Sequence, residues 1–173
     1  MKQLRAIADD LEGWQVTIDS KKDRMKCEQR TSERGFNVGR ITSIQDFDSI
    51  TSFRAFGNGE NRLKYDKNCE RIESIEWCGA NFLYGYQKLH KILSVASRDL
   101  YQMSFWEVMD DNSVYCVVWG EDEDMPEEPG CVRMTVPIGG AIFKPLKDDK
   151  TKCEMTYIAE AHLGGNVPGW ITK

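Results

Sequence analysis

The sequence predicts an α+β fold built on a curved antiparallel sheet. Three observations carry that reading. Apolar residues near the N-terminus recur at helical spacing, and a long stretch from residue 69 onward reads as strands between turn signals. The last of those strands alternates apolar and polar residues along most of its length.

Leu4, Ile7, Ala8 and Leu11 share one helical face and Gly13 closes the pattern, so residues 2–12 are expected to form an amphipathic helix. Residues 14–18, 25–31 and 36–43 follow as three short strands, joined by polar turns at 19–24 and 32–35. From Ile44 the period changes. Phe47, Ile50, Phe53 and Phe56 recur every three residues, which reads as a short helix ended by Gly57-Asn58-Gly59. Beyond 61–66 the chain is read as strands at 69–77, 81–89, 100–109, 113–119, 131–137 with 141–144, and 152–163. Asp110-Asp111-Asn112 and Lys147-Asp148-Asp149-Lys150 supply turn chemistry between them. In the final strand Cys153, Met155, Tyr157, Ala159, Ala161 and Leu163 alternate with Glu154, Thr156, Glu160 and His162, so one face is buried and the other mostly polar.

A chain of 173 residues suits one domain, 1–173, large enough to bury most of its unfolded surface and still hold an internal cavity. The net charge of -5 is uneven: residues 1–99 carry 17 basic and 15 acidic side chains, residues 100–173 carry 6 and 13. Neither half has a polybasic run, so no footprint for nucleic acid or an anionic leaflet is present. The acidic residues 121–124, with Glu127 and Glu128, read as a solvated loop. The cysteines Cys27, Cys69, Cys78, Cys116, Cys131 and Cys153 are scattered through apolar runs, which fits free thiols in a reducing cytosol better than a disulfide framework. No Cys-x-x-Cys occurs and neither His90 nor His162 neighbours a cysteine, so neither a zinc site nor any other cofactor is expected. The N-terminus lacks the apolar run of a signal peptide and no window approaches a membrane span, so a soluble cytoplasmic protein is expected.

The second half is punctuated by Ser97-Arg98-Asp99, Met125-Pro126, Gly130-Cys131-Val132-Arg133, Pro145-Leu146 and Gly164-Gly165-Asn166-Val167-Pro168-Gly169-Trp170. An Arg-Asp, a Pro before Gly-x-Val-Arg and a final Gly-x-x-Pro-x-Trp, in this order, resemble the StAR-related lipid-transfer (START) domain over about residues 14–170. The resemblance implies the helix-grip fold, in which a bent antiparallel sheet wraps a long C-terminal helix and encloses a tunnel for one lipid. It also implies non-catalytic lipid binding, transfer between membranes and transient membrane contact. The sequence stops three residues after Trp170, so the roofing helix is expected to be missing or truncated, and either the open groove is covered by a second copy or another protein or the chain is a fragment of a longer gene product.

Lipid transfer has a physical scale: sheltering a chain of roughly sixteen carbons, at about 0.8 kcal/mol per CH₂, requires on the order of 13 kcal/mol of apolar contact. A few polar groups then select the headgroup, because a buried polar atom without a partner costs about 1–3 kcal/mol. Arg62, Tyr65 and Asp66 resemble the family's Tyr-Arg-x-x-Trp-Asp, with Tyr65 in place of Trp, which implies that Arg62 and Asp66 lie at the headgroup end. Two readings stand open: Arg62 meets a phosphate through two parallel hydrogen bonds, or it pairs with Asp66 as a structural element. The family positions that cage choline in phosphatidylcholine carriers fall on Gly85, Leu100 and Pro137, none aromatic, and the acid–base pair of sterol binders falls near Arg71 and Ser104, where it is broken. The face expected to point inward carries Gln102, Ser104 and Trp106 from one strand and Arg71, Glu73 and Trp77 from another. Neutral hydrogen-bonding groups there suit an amide or hydroxyl headgroup, such as a sphingolipid or diacylglycerol.

Arg98, Asp99 and Arg133 start strands and are read as ties between sheet and loop. Segment 88–97 is read either as a membrane contact or as packing over the cavity mouth, and Trp170 as the first turn of the family's C-terminal helix. Two other function classes stand beside lipid transfer. One is a regulatory or protein-binding module without ligand capacity. The other is a helix-grip cyclase or hydrolase, against which count the absence of Gly-x-Ser-x-Gly and the lack of a histidine beside any thiol.

Overall fold

The computed structural model describes residues 1–91, 95–120, 125–165 and 167. Helix α1 (Lys2–Asp9) leads into a three-strand meander, β1 (Gln15–Ser20), β2 (Met25–Thr31) and β3 (Asn37–Gln45). Two short helices follow, α2 (Ser49–Gly57) and α3 (Gly59–Tyr65). The rest is strand: β4 (Cys69–Gly79), β5 (Phe82–Leu89), β6 (Ser97–Val108), β7 (Val114–Gly120), β8 (Cys131–Arg133), β9 (Thr135–Pro145) and β10 (Cys153–His162). All join one curved ten-stranded sheet in the order β1-β2-β3-β10-β9-β7-β6-β5-β4, antiparallel except where β8 runs parallel beside β6. β10 therefore lies between the meander and the remaining strands, paired with β3 on one side and β9 on the other.

Registered partners in an antiparallel ladder share a face, so the pairing sorts side chains into two sets. α1 covers one face, called outer here. Leu4 is fully buried against Val38, Tyr115, Val117, Ile138, Ile142 and Ile158. The buried Arg40 fastens the end of this helix: it pairs with Glu28 at 2.9 Å and donates to the carbonyls of Ala8 and Asp10, which are free at a helix C-terminus. α2 covers part of the other, inner face, where Ile50, Phe53 and Phe56 pack on Val114, Ala141, Phe143 and Cys153. At the far end of that face Leu100, Met134 and Val136 cluster with Leu89, Ala161 and Leu163.

Four segments differ from the sequence expectation. The helix expected over 2–12 ends at Asp9 and leaves Leu11 exposed, and the strand expected at 131–137 breaks at Met134 into β8, parallel to β6, and β9. Residues 59–65 form α3, capped by the Asn58 side chain on Asn61 N–H; seven residues are too few to display a helical period. Gly139-Gly140 does not break the preceding strand. β9 runs through it, with Gly140 at φ +143°, packed so tightly that a Cβ would stand 2.0 Å from the Cys116 carbonyl oxygen. The start of the final Gly-Trp motif is seen only in part: Asn166 and residues 168–173 lie outside the described residues, as do 92–94 and 121–124.

Candidate functional site

The inner face is built mainly by β4 to β7, β9 and β10, with α2 and α3 along one side. On β6, Gln102 stands opposite Gly85 and Gly120, Ser104 opposite Leu83 and Val118, and Trp106 opposite Cys116. These three β6 residues share the face of Val114, Ala141 and Tyr157. All three are half-buried. Trp106 is the centre of an aromatic group, 6.0 Å from the Phe53 ring of α2 and 5.8 Å, edge on, from Trp77 of β4. Leu100, buried in the far cluster, pairs with Gln87, whose amide reaches the Cys69 sulfur at 3.7 Å. Gly85 is also on this face, but a Cβ there would come within 2.9 Å of the Glu73 carbonyl oxygen on β4. That close approach of backbone explains why the position holds no ring.

Arg62 and Asp66 meet across the end of α3. Nε of Arg62 donates to one Asp66 carboxylate oxygen at 2.9 Å, and Nη2 stands at the same distance from that oxygen. The guanidinium lies 5.9 Å from the ring centres of Phe56 and Tyr65. Burial works against its charge, but Tyr157, Tyr65 and Asp66 outweigh it and hold the group more firmly protonated than an ordinary arginine. Tyr65 in turn donates to the Phe56 carbonyl at 3.0 Å, bridging α3 to α2. The structural ion pair is thus formed, and Tyr157 brings the same guanidinium to the edge of the inner face.

Arg71 and Glu73 require a correction. They pair with Lys88 and Tyr86, which puts them on the outer face, opposite to Gln102, Ser104 and Trp106. The cause is a bulge. Ser74 pairs with Gly85 and Glu76 with Tyr84, so Ile75 is the extra residue and alternation along β4 reverses there. Trp77 consequently faces inward although it lies an even number of residues from Arg71 and Glu73. Outside, Arg71 reaches Glu73 and Glu128 at 3.2 Å and covers the Tyr86 ring at 4.7 Å. The Tyr86 hydroxyl beneath it is buried without a hydrogen-bond partner, and burial with the Asp99 and Glu128 charges pushes its pKa up to about 12.

Arg98, Asp99 and Arg133 act as ties, but only the first two lie at a strand start, that of β6, whereas Arg133 ends β8. Arg98 donates to the carbonyls of Ala96, Leu163 and Gly164, which pins the chain leaving β10 to the start of β6. Arg133 holds both oxygens of the buried Asp99, at 2.9 and 3.0 Å, across the parallel β6–β8 pair. Phe53 and Phe56 were visible in the sequence as a helical stripe, whereas the part played by Gln87 was not, because a single amide in a strand leaves no mark. No described helix is long and apolar enough to cross a membrane, and no metal-binding cluster occurs among the described residues.

The family model for the START domain matches residues 1–173. No curated protein matches the sequence. Human StAR-related lipid transfer protein 5 superposes with a TM-score of 0.88 at 18% identity, covering 98% of this chain and 82% of that one. Human STARD10 gives 0.84 at 18% identity over 98% of this chain and 69% of its own. A StAR-related lipid transfer protein fragment from Xanthomonas axonopodis gives 0.75 at 18% identity, covering 92% and 88%.

Proposed function

As the chain belongs to the START domain family, we propose that residues 1–173 act as a single lipid-binding domain that holds one lipid against the inner face and carries it between membranes without reacting with it. The observation that supports this reading is the composition of that face. Leu83, Trp106, Val118 and Tyr157 are only half-buried by the described chain, and Gln102 and Ser104 stand among them. Acyl methylenes gain about 0.8 kcal/mol each on such a surface, while sparse amide and hydroxyl groups can select a headgroup. Neutral donors and acceptors at Gln87, Gln102 and Ser104 favour a lipid with an amide or hydroxyl headgroup. Arg62, already held by Asp66, adds attraction for a phosphate. Catalysis has little support: burial pushes the Cys116 thiol up to about 12 and raises Cys69, Cys131 and Cys153, opposite to what a nucleophile needs.

Native mass spectrometry of the protein incubated with mixed lipid vesicles tests the reading. One lipid per chain is expected. Trp106→Ala should lower affinity about tenfold, or about 1.4 kcal/mol, while keeping the circular dichroism of the parent. Arg62→Met should weaken lipids that carry a phosphate and leave diacylglycerol uptake near the parent level. Failure to take up any lipid from a broad panel would favour a protein-binding module, and equal loss of both lipid types in Arg62→Met would make the ion pair with Asp66 purely structural.

A further inference from the structure

The outer face of β4 to β7 carries aromatic side chains in registered rows. Glu73, Tyr86 and Tyr101 form one row, and Glu76, Tyr84, Met103 and Trp119 form the next. Phe82 and Phe105 begin a third. In the first row the chain supplies its own cations. Arg71 covers Tyr86 at 4.7 Å beside Glu73 and Glu128, and Arg133 covers Tyr101 at 4.8 Å beside Asp99. Each is a guanidinium on a ring face with a carboxylate at its edge.

The second row again sets rings beside a carboxylate. Glu76, Cys78, Phe82, Tyr84, Met103 and Trp119 line a shallow pocket of about 410 Å³. Phe82 and Trp119 stack at 5.8 Å to form one wall, and Tyr84 stacks on Tyr101 at 6.1 Å, continuing the first row. Glu76 is exposed and makes no ion pair among the described residues. The bulge at Ile75 puts it there. With unbroken alternation, Ile75 would stand opposite Tyr84 and the carboxylate would turn inward.

We propose that this outer-face pocket receives the guanidinium of an arginine presented by a partner polypeptide. Charge complementarity selects a cation, because a purely apolar ligand would cover the Glu76 carboxylate without pairing it. Guanidinium is chosen over lysine ammonium because it is planar, weakly hydrated and stacks on aromatic faces, as it does twice in the adjoining row. The arginine methylenes lie along Met103, whose thioether adapts to their path. The pocket is on the opposite face from the lipid groove, so this inference stands or falls independently of the lipid reading.

The test is titration of the full chain, at low ionic strength, with N-acetyl-arginine amide and its neutral isostere N-acetyl-citrulline amide, followed by amide and indole NMR shifts. Saturable shifts centred on Trp119, Tyr84 and Met103 are expected for the arginine compound, with citrulline at least about tenfold weaker. Glu76→Gln should weaken the arginine compound about fivefold and Glu76→Lys should abolish the shifts, both at a single exposed position where substitution leaves the fold intact. Equal binding of the two compounds, no saturable shift at the solubility limit, or insensitivity to Glu76→Gln would overturn the proposal. Tighter binding of choline than of the arginine compound would overturn the guanidinium assignment in favour of a methylated ammonium.

Discussion

Asp48 closes the N-terminus of α2 with one carboxylate that accepts from the Ile50 and Thr51 amides and from the Thr51 hydroxyl. Those bonds, led by the Thr51 amide and opposed by burial, hold its pKa below the ordinary 3.8. A carboxylate with a depressed folded pKa stabilises above its unfolded value and loses that contribution as pH falls through the folded one. Asp48→Ala should therefore cost about 1 kcal/mol at neutral pH in urea unfolding, and the gap to the parent should close below pH 3.8. A constant gap down to the acid limit would assign the loss to something other than the charged cap. Other single residues were less legible. The inward placement of Gln102, Ser104 and Trp106 follows from simple alternation along β6, whereas the same rule misplaces Arg71 and Glu73 because nothing in Glu73-Ser74-Ile75-Glu76 marks Ile75 as the extra residue.

At the scale of elements, β9 depends on Gly140. Its φ of +143° is outside the range favoured by side-chain-bearing residues, and a Cβ would overlap the Cys116 carbonyl on β7. Gly140→Ala should force β7 and β9 apart and lower stability by about 3 kcal/mol or more, read as an early thermal transition with reduced soluble yield. A parent-like melting curve would mean that the strands adjust at little cost. The glycine pair was legible as an interruption but not as a bend inside one strand, since both outcomes carry the same letters. The extent of the last strand was read closely from its alternation, but its burial was not: Ile158 interrupts the polar set and with Glu160 is fully buried, whereas Tyr157, Ala159 and Ala161 on the face expected to be buried are only half-buried. α3 escaped because its cap at Asn58 also fits the turn that ends α2, so the local signal served two structures at once.

For the molecule as a whole, the sheet order makes β10 the sole hydrogen-bonded bridge between the β1–β3 meander and the strands from β4 to β9 among the described residues. Ile158, fully buried on β10, packs with Val38 of β3 and Ile142 of β9 in the core under α1. Ile158→Ala should cost about 2–5 kcal/mol, and hydrogen exchange should quicken in β3 as much as in β9. Unchanged protection of β3 would show that the meander stands without its partner. The same placement has a consequence in time. As the polypeptide leaves the ribosome, the meander emerges early, yet the strand it needs is made over a hundred residues later; Ser32 must wait for Glu160, 128 positions on, to complete its hydrogen bond. Through that interval the β3 edge is open to any passing strand, so nascent chains should depend on holdase chaperones until β10 is released, and translational pausing before residue 153 should raise the aggregated fraction without altering the protein that does fold.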